Sequence, residues 1–214
     1  MEAPSDGRVA AVMDAASPYG EAAARAIAGA GFGVVLGGQS RERLAALERD
    51  IAEAGGRAVT VGTHPAKLRH LEHLVEASLD AFGALDALVL ATRAGAPPLS
   101  RLDPGSLERS LDVNLRGVVY ALFAALPVLQ RRGGSVVYLC AEPEEPDPLY
   151  EAARAAAGSL LRAAGREFGG EGVRLCELTV CGGADEERVA REVLRLLSGG
   201  GPGGFLSRRV PEGS

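Results

Sequence analysis

Cysteine is scarce: the 214 residues hold three, Cys140, Cys176 and Cys181. That number makes neither a disulfide framework nor a CxxC redox or metal pair, so a reducing, cytoplasmic setting is expected. A basic face is lacking too. The net charge is −5, and the pairs Arg131-Arg132 and Arg208-Arg209 are too short to neutralise a run of phosphates, which argues against nucleic acid as a partner. The N-terminus, MEAPSDGR, has no basic and apolar stretches of a signal peptide. The longest apolar run, Gly117 to Leu129, is too short for a bilayer and is interrupted by Pro127, so no membrane partner is expected. No linker or internal repeat divides the chain, and a single domain spanning 1–214 is predicted. Composition fits a soluble globular protein, with 47% hydrophobic and 24% charged residues.

What is present is organised around Arg8 to Gly29. Val9, Ala10, Ala11, Val12 and Met13 form an apolar run suited to a strand buried on both faces of a parallel sheet. Ser17 can cap the helix that follows, and Pro18 suits its first position, where a missing N–H costs nothing. Ala22, Ala23, Ala26 and Ile27 give that helix a small apolar side. A strand feeding a helix N-terminus is where doubly wound folds bind a dinucleotide pyrophosphate. Here Asp14 and Pro18 occupy two positions that should favour phosphate.

The alternation continues along the chain. Val34 to Leu36, Ala58 to Val61, Ala87 to Leu90, Val136 to Cys140 and Arg174 to Val180 read as strands. Between them, helices are predicted over Arg41 to Ala54, from Pro65 through Phe82, from Pro104 or Ser106 to about Gln130, and over Leu149 to Phe168. A last helix covers Asp185 to Leu197, and Phe205 to Val210 could add an edge strand after a Gly-rich run. This pattern predicts an α/β fold with one doubly wound, Rossmann-type parallel sheet, right-handed crossovers and helices on both faces.

Four stretches carry a resemblance: FGALDALVL, LDVNLRGVVYALFAALPVLQRRGGSVVYL, YEAARAAAGSLLRAAGREF and GVRLCEL. In order, spacing and flanks they resemble the short-chain dehydrogenase/reductase family over nearly the whole chain. The resemblance implies an NAD(P)-dependent oxidoreductase acting on a carbonyl or alcohol. It assigns Tyr150, Arg154 and Asn114 to catalysis, and Ser17, Gly20, Gln39 and Arg41 to the cofactor. It also implies a homodimer, or a heterodimer with a related chain, packed through Leu115 to Leu129 and Ala152 to Ala164.

Several motif positions depart from the family pattern. Of its Gly-rich first turn only Gly20 remains. The second strand ends in Gly37-Gly38-Gln39-Ser40 without the acidic residue expected at the ribose, and Arg41 is the nearest cation. His64 stands where an aspartate is expected near the adenine. The Asn-Asn-Ala-Gly motif falls on Leu90, Ala91, Thr92 and Arg93, although a two-residue shift recovers Ala94-Gly95. Ala141 replaces the catalytic serine, Tyr-x-x-x-Lys becomes Tyr150-x-x-x-Arg154, and Pro-Gly becomes Val180-Cys181. The substrate lid of many members has no room after Cys181. These changes gather at the carboxyl edge of the sheet, where ligands bind, while the strands keep their apolar runs.

Each candidate has a plain structural reading beside the functional one. Ser17-Pro18 is a good helix start; Tyr150 could make a structural hydrogen bond; Asn114 could stabilise a helix bulge. For catalysis, Tyr150 needs a neighbouring cation to favour its phenolate. Arg154, one turn on, can supply the charge but not lysine's compact contact. Cys140 and Cys181 end adjacent strands and read as small buried thiols. His64 lies about 24 Å from Cys181 in the expected strand order, which argues against a shared metal. The loop from Ala141 to Pro148, with four acids and three prolines, reads as a stiff solvated segment or as a gate favouring cationic ligands. Three classes stay open: a divergent NAD(P)-dependent reductase, a cofactor-free lyase, isomerase or cyclase on the same scaffold, and a non-catalytic subunit paired with an active relative.

Overall fold

In the computed structural model, seven parallel strands form one sheet in the order β3-β2-β1-β4-β5-β6-β7. The structure describes residues 7–91, 93–143, 145–199 and 201–212. The predicted positions Thr92 and Glu144 and the first six residues lie outside these. The strands are β1 (Val9–Met13), β2 (Gly33–Gly38), β3 (Arg57–Gly62), β4 (Ala87–Leu90), β5 (Ser135–Ala141), β6 (Arg174–Val180) and β7 (Gly204–Val210). The helices are α1 (Pro18–Gly29), α2 (Arg41–Glu53), α3 (Leu68–Phe82), α4 (Pro104–Leu111), α5 (Gly117–Leu129), α6 (Pro148–Phe168) and α7 (Glu186–Ser198).

Alternation along the strands builds two cores. Ala10, Val12, Val34 and Leu36 face α1, α2 and α7 on one side, with Ile27, Leu44 and Val193 packed over them. Ala11, Met13, Val35 and Leu88 face α3, α5 and α6 on the other, under Leu74, Leu122 and Leu161. All five residues of β1 are buried, as expected of a parallel strand covered on both faces. Each large aliphatic side chain so buried contributes about 1.5–3 kcal/mol.

One segment departs from the sequence-based expectation. Pro65 does not open α3, which starts at Leu68. The His64 N–H donates to His70 Nδ1 at 3.1 Å, and His64 Nδ1 accepts the Ala66 N–H at 3.2 Å, holding residues 64–67 in a turn. Further on, α4 and α5 are joined by a π-helical turn, Asp112–Arg116, into one helix of 26 residues. Among the described residues it is the one helix long and apolar enough to cross a membrane, by length and composition only. Val118, Ala121, Leu122, Ala125 and Leu129 along it are buried against the sheet, the arrangement of a core helix.

Candidate functional site

The turn after β1 is closed upon itself. Asp14 has φ 60°, a left-handed conformation, and no other described non-glycine residue has a positive φ. Its carbonyl accepts the Ser17 N–H at 3.0 Å and the Ser17 Oγ–H at 2.7 Å. Ser17 Oγ in turn accepts the Gly20 N–H at 3.3 Å and caps α1. A Cβ on Gly20 would stand 2.3 Å from the Asp14 carbonyl oxygen, so only glycine fits there. Pro18 has no N–H, and those of Gly20 and Glu21 are taken by Ser17. Little of the helix start is left to meet an anion.

Two cavities open at the carboxyl edge of the sheet. One, of about 240 Å³, is lined by Asp14, Gln39, His64, Arg93 and Arg109, among others. The second, about 560 Å³, is lined by Tyr19, Arg93, Ala141, Glu142, Glu145 and Asp147, among others. Arg93 is common to both. A larger groove of about 710 Å³ runs between α1 and α7, past Glu21, Arg25, Glu187 and Arg191, away from the strand ends. Burial of the Asp14 carboxyl raises its pKa above the ordinary carboxylate value, and Arg43 opposes the shift. Arg41, the cation expected from the sequence, lines neither cavity.

Asn114 sets the position of Arg93. Bent inward by the π turn, its side chain accepts the Ala94 N–H at 2.8 Å and donates to the Ala94 carbonyl at 2.7 Å and to Ser110 Oγ at 2.9 Å. Asn114 thus anchors the loop after β4 at Ala94, the residue that follows Arg93. The exposed Arg93 guanidinium then lies over the Tyr150 ring, 5.1 Å from its centroid. An exposed contact of this kind is worth about 0.5–1 kcal/mol.

Tyr150 is fully buried, and its backbone N–H donates to Asp147 Oδ1 at 3.0 Å. Asp147 Oδ2 accepts the Ala96 N–H at 3.0 Å, tying α6 to the loop after β4. Burial pushes the Tyr150 phenol above its ordinary range, more than Arg93 and Arg154 lower it. Arg154 is turned aside: its Nη1 stands 3.9 Å from Glu177 Oε1 on β6. Arg162 approaches the other oxygen of Glu177 at 3.7 Å. Gly158 lies between the two arginines on α6, and a Cβ there would stand 3.0 Å from the Glu177 carboxylate. Glu177 thus sits under the helix, shared by two cations. Among the described residues, Tyr150 Oη, Tyr138 Oη and Arg154 Nε are buried without a hydrogen-bond partner, which costs about 1–3 kcal/mol for each such group.

Of the positions expected to hold a cofactor, Gln39 lines the smaller cavity, Ser17 and Gly20 build the first turn, and Arg41 stands apart. Of the catalytic positions, Tyr150 and Arg154 share one buried neighbourhood, while Asn114 holds the loop beside it. Sequence reasoning missed Arg93, Arg43, Tyr138 and Glu177. Glu177 left a signal: a lone acid in the apolar strand LCELTV, with Arg154, Gly158 and Arg162 at four-residue spacing on the preceding helix. All three cysteines are free and buried, and among the described residues no His, Cys, Asp and Glu group could hold a metal.

A parallel seven-stranded sheet with clefts at the carboxyl ends of β1 and β4 defines a dinucleotide-binding type of fold. The family model for short chain dehydrogenase matches residues 8–191, and the chain belongs to that family of oxidoreductases. An uncharacterized oxidoreductase of Staphylococcus saprophyticus is 30% identical over 183 residues, covering 80% of this chain and 76% of the relative. The cis-4-hydroxycyclohexanecarboxylate dehydrogenase of Sinomonas cyclohexanicum is 30% identical over 211 residues, covering 94% and 84%. Among solved structures, a metagenomic short-chain oxidoreductase in complex with NADP superposes with TM-score 0.87 at 24% identity, over 96% of this chain and 97% of that one. A 3-oxoacyl (acyl-carrier-protein) reductase from Agrobacterium tumefaciens with NADP bound gives TM-score 0.81 at 26% identity, over 94% and 93%.

Proposed function

We propose that this chain is a short-chain dehydrogenase/reductase that has given up dinucleotide-dependent hydride transfer and binds a small ligand at the carboxyl edge of its sheet. The observation that carries this reading is Arg93, which borders both cavities and stacks over the buried Tyr150. A dinucleotide has to run unbroken from one cavity to the other, past that side chain. Asp14 and Pro18 add to the misfit, the first by a carboxyl on the cavity wall, the second by removing an N–H donor. The family's general base is unsupported as well, because the Tyr150 phenol is held protonated and Arg154 is engaged with Glu177. A cofactor-free lyase, isomerase or cyclase would need Tyr150 to reach a substrate, and Arg93 covers it.

The chain pairs with a second copy or a related chain through α5 and α6. Phe123 on α5 is 64% exposed, and Ala152, Ala155 and Ala156 make a small-residue outer face on α6. An exposed aromatic on one helix and a small-residue face on the other each favour a packed interface.

Titration with NADH and NADPH by calorimetry tests the reading, and no saturable binding is expected in the micromolar range. Saturable micromolar binding, with oxidation of NAD(P)H by a carbonyl compound, would restore the reductase assignment to Tyr150, Arg154 and Asn114.

A further inference from the structure

Beside the edge strand β7 lies a separate cavity of about 410 Å³ whose charged lining is entirely basic. Arg174, Arg195 and Arg208 line it with Cys176, Leu196, Leu206 and the glycine-rich loop before β7, and no acidic residue does. Arg174 begins β6, Cys176 belongs to the core on the α7 side, and Leu206 is level with Cys176 in the parallel register. Level neighbours share a face, so the floor of the cavity is the side of β7 that looks towards α7, where Leu206 is left 41% exposed. The loop wall is fixed by backbone packed on backbone. A Cβ on Gly203 would run into the Gly169 carbonyl oxygen, and the Gly204 N–H donates to the Val173 carbonyl at 2.9 Å.

The partners of each arginine show how much charge is left over. Arg195 is neutralised by Glu192 through hydrogen bonds of 3.0 and 2.9 Å. Arg174 donates only from Nη2, to Ser135 Oγ at 2.7 Å and to the Leu197 carbonyl at 3.2 Å. Both acceptors are uncharged, and the end of α7 offsets only a fraction of the Arg174 charge. Arg208 makes no hydrogen bond or ion pair among the described residues. Two guanidinium charges therefore remain without a carboxylate. Their placement excludes a compact anion. Arg174 is level with Gly204, and Arg208 with Leu178, so the two stand four strand positions apart, about 13 Å at the usual rise. Arg174 cannot close that distance, because Ser135 and Leu197 hold its guanidinium at the amino end of the sheet. Cys176 and Leu206, both apolar, stand halfway between. A molecule that meets both charges has to be extended, anionic at each end and apolar in the middle. Carboxylates suit guanidinium groups by their forked geometry, and the cavity volume lies within the usual range for small-molecule sites.

We propose that the cavity between β7 and the end of α7 is a binding site for a linear dicarboxylate. Arg174 holds one end, Arg208 the other, and the hydrocarbon chain lies on Cys176 and Leu206. The site shares no lining residue with the two cavities at the carboxyl edge of the sheet and does not depend on what binds there.

The test uses the full chain with sebacate as probe. Decanoate, of the same chain length, offers one carboxylate, and the two carboxylates of glutarate are too close together to reach both arginines. Calorimetry should show saturable sebacate binding about tenfold tighter than either, as one added charge-assisted contact warrants. The binding should weaken as salt is raised. Arg208→Gln should bring sebacate down to the level of decanoate with little change in Tm, because Arg208 is exposed and holds nothing in the ligand-free chain. Leu206→Glu, which places an acid under the middle of the ligand, should abolish sebacate binding. Arg209→Gln, one position on and on the opposite face of β7, should leave it as it is. If sebacate binds no tighter than decanoate and glutarate, or does not bind, the inference falls. It falls equally if sebacate binds but Arg208→Gln and Leu206→Glu both leave its affinity intact, since the dicarboxylate then sits elsewhere on the protein.

Discussion

Asn114 grips Ala94 by both edges of its backbone, accepting from the amide at 2.8 Å and donating to the carbonyl at 2.7 Å. The grip holds the loop after β4, and it joins an internal helix turn to Ala94, next in sequence to Arg93. Replacing Asn114 by Ala removes three hydrogen bonds and leaves the Ala94 groups unsatisfied. A loss of about 2–3 kcal/mol is expected in urea unfolding, with the Arg93–Tyr150 contact loosened. Unchanged stability would show that the loop is held by other means.

Asp14 and Arg93 should act as separate barriers to NAD(P)H. Asp14→Gly removes a carboxylate that would face the pyrophosphate and relieves the left-handed backbone. A few kcal/mol of repulsion correspond to roughly ten- to a thousandfold in affinity. Asp14→Gly should therefore strengthen NAD(P)H binding at least tenfold, with further gains from Pro18→Gly and Arg93→Gly measured by calorimetry. The Asp14 gain should shrink as salt is raised. A folded triple variant that still binds nothing would place the obstacle elsewhere on the rim.

The raised pKa of Asp14 carries a pH signature. A carboxyl whose folded pKa lies above its unfolded value favours the native state below that unfolded value, near 3.8. This contribution is lost as pH rises through the folded pKa. Asp14→Asn should therefore be more stable than the parent at pH 7, with the difference narrowing toward pH 4 in thermal melts. A constant difference across that range would refute the assignment.

Phe123 should report the pairing surface. If α5 and α6 pack against a second chain, Phe123→Glu places a charge at the centre of an apolar contact and should give a monomer by light scattering at tens of micromolar. The Tm of the dilute protein should change little, because Phe123 is 64% exposed in the single chain. A parent protein already monomeric at that concentration, with no partner recovered from its host, would overturn the assignment.

Most of the fold was legible because its signals are periodic and local. A fully apolar VAAVM, a Ser-Pro helix start and leucines at helical spacing each specify an element without help from distant residues. The turn at His64 to Lys67 was not legible, since it depends on His70 reaching back across six residues. At the site, Ser17 as a cap followed from local sequence, whereas the close packing of Gly20 against the Asp14 carbonyl did not. Arg93 did not, because its place over Tyr150 depends on Asn114, twenty residues on, holding Ala94.

The sequence by itself determined the doubly wound sheet and the family. Strand burial and helix amphipathicity are properties of short windows of chain. Only the tertiary structure decided that Arg154 turns to Glu177 and that Arg93 lies over the Tyr150 ring. Those relationships join the loop after β4, α6 and β6, and the energies that set them arise from desolvation and charge pairing between elements far apart in the chain.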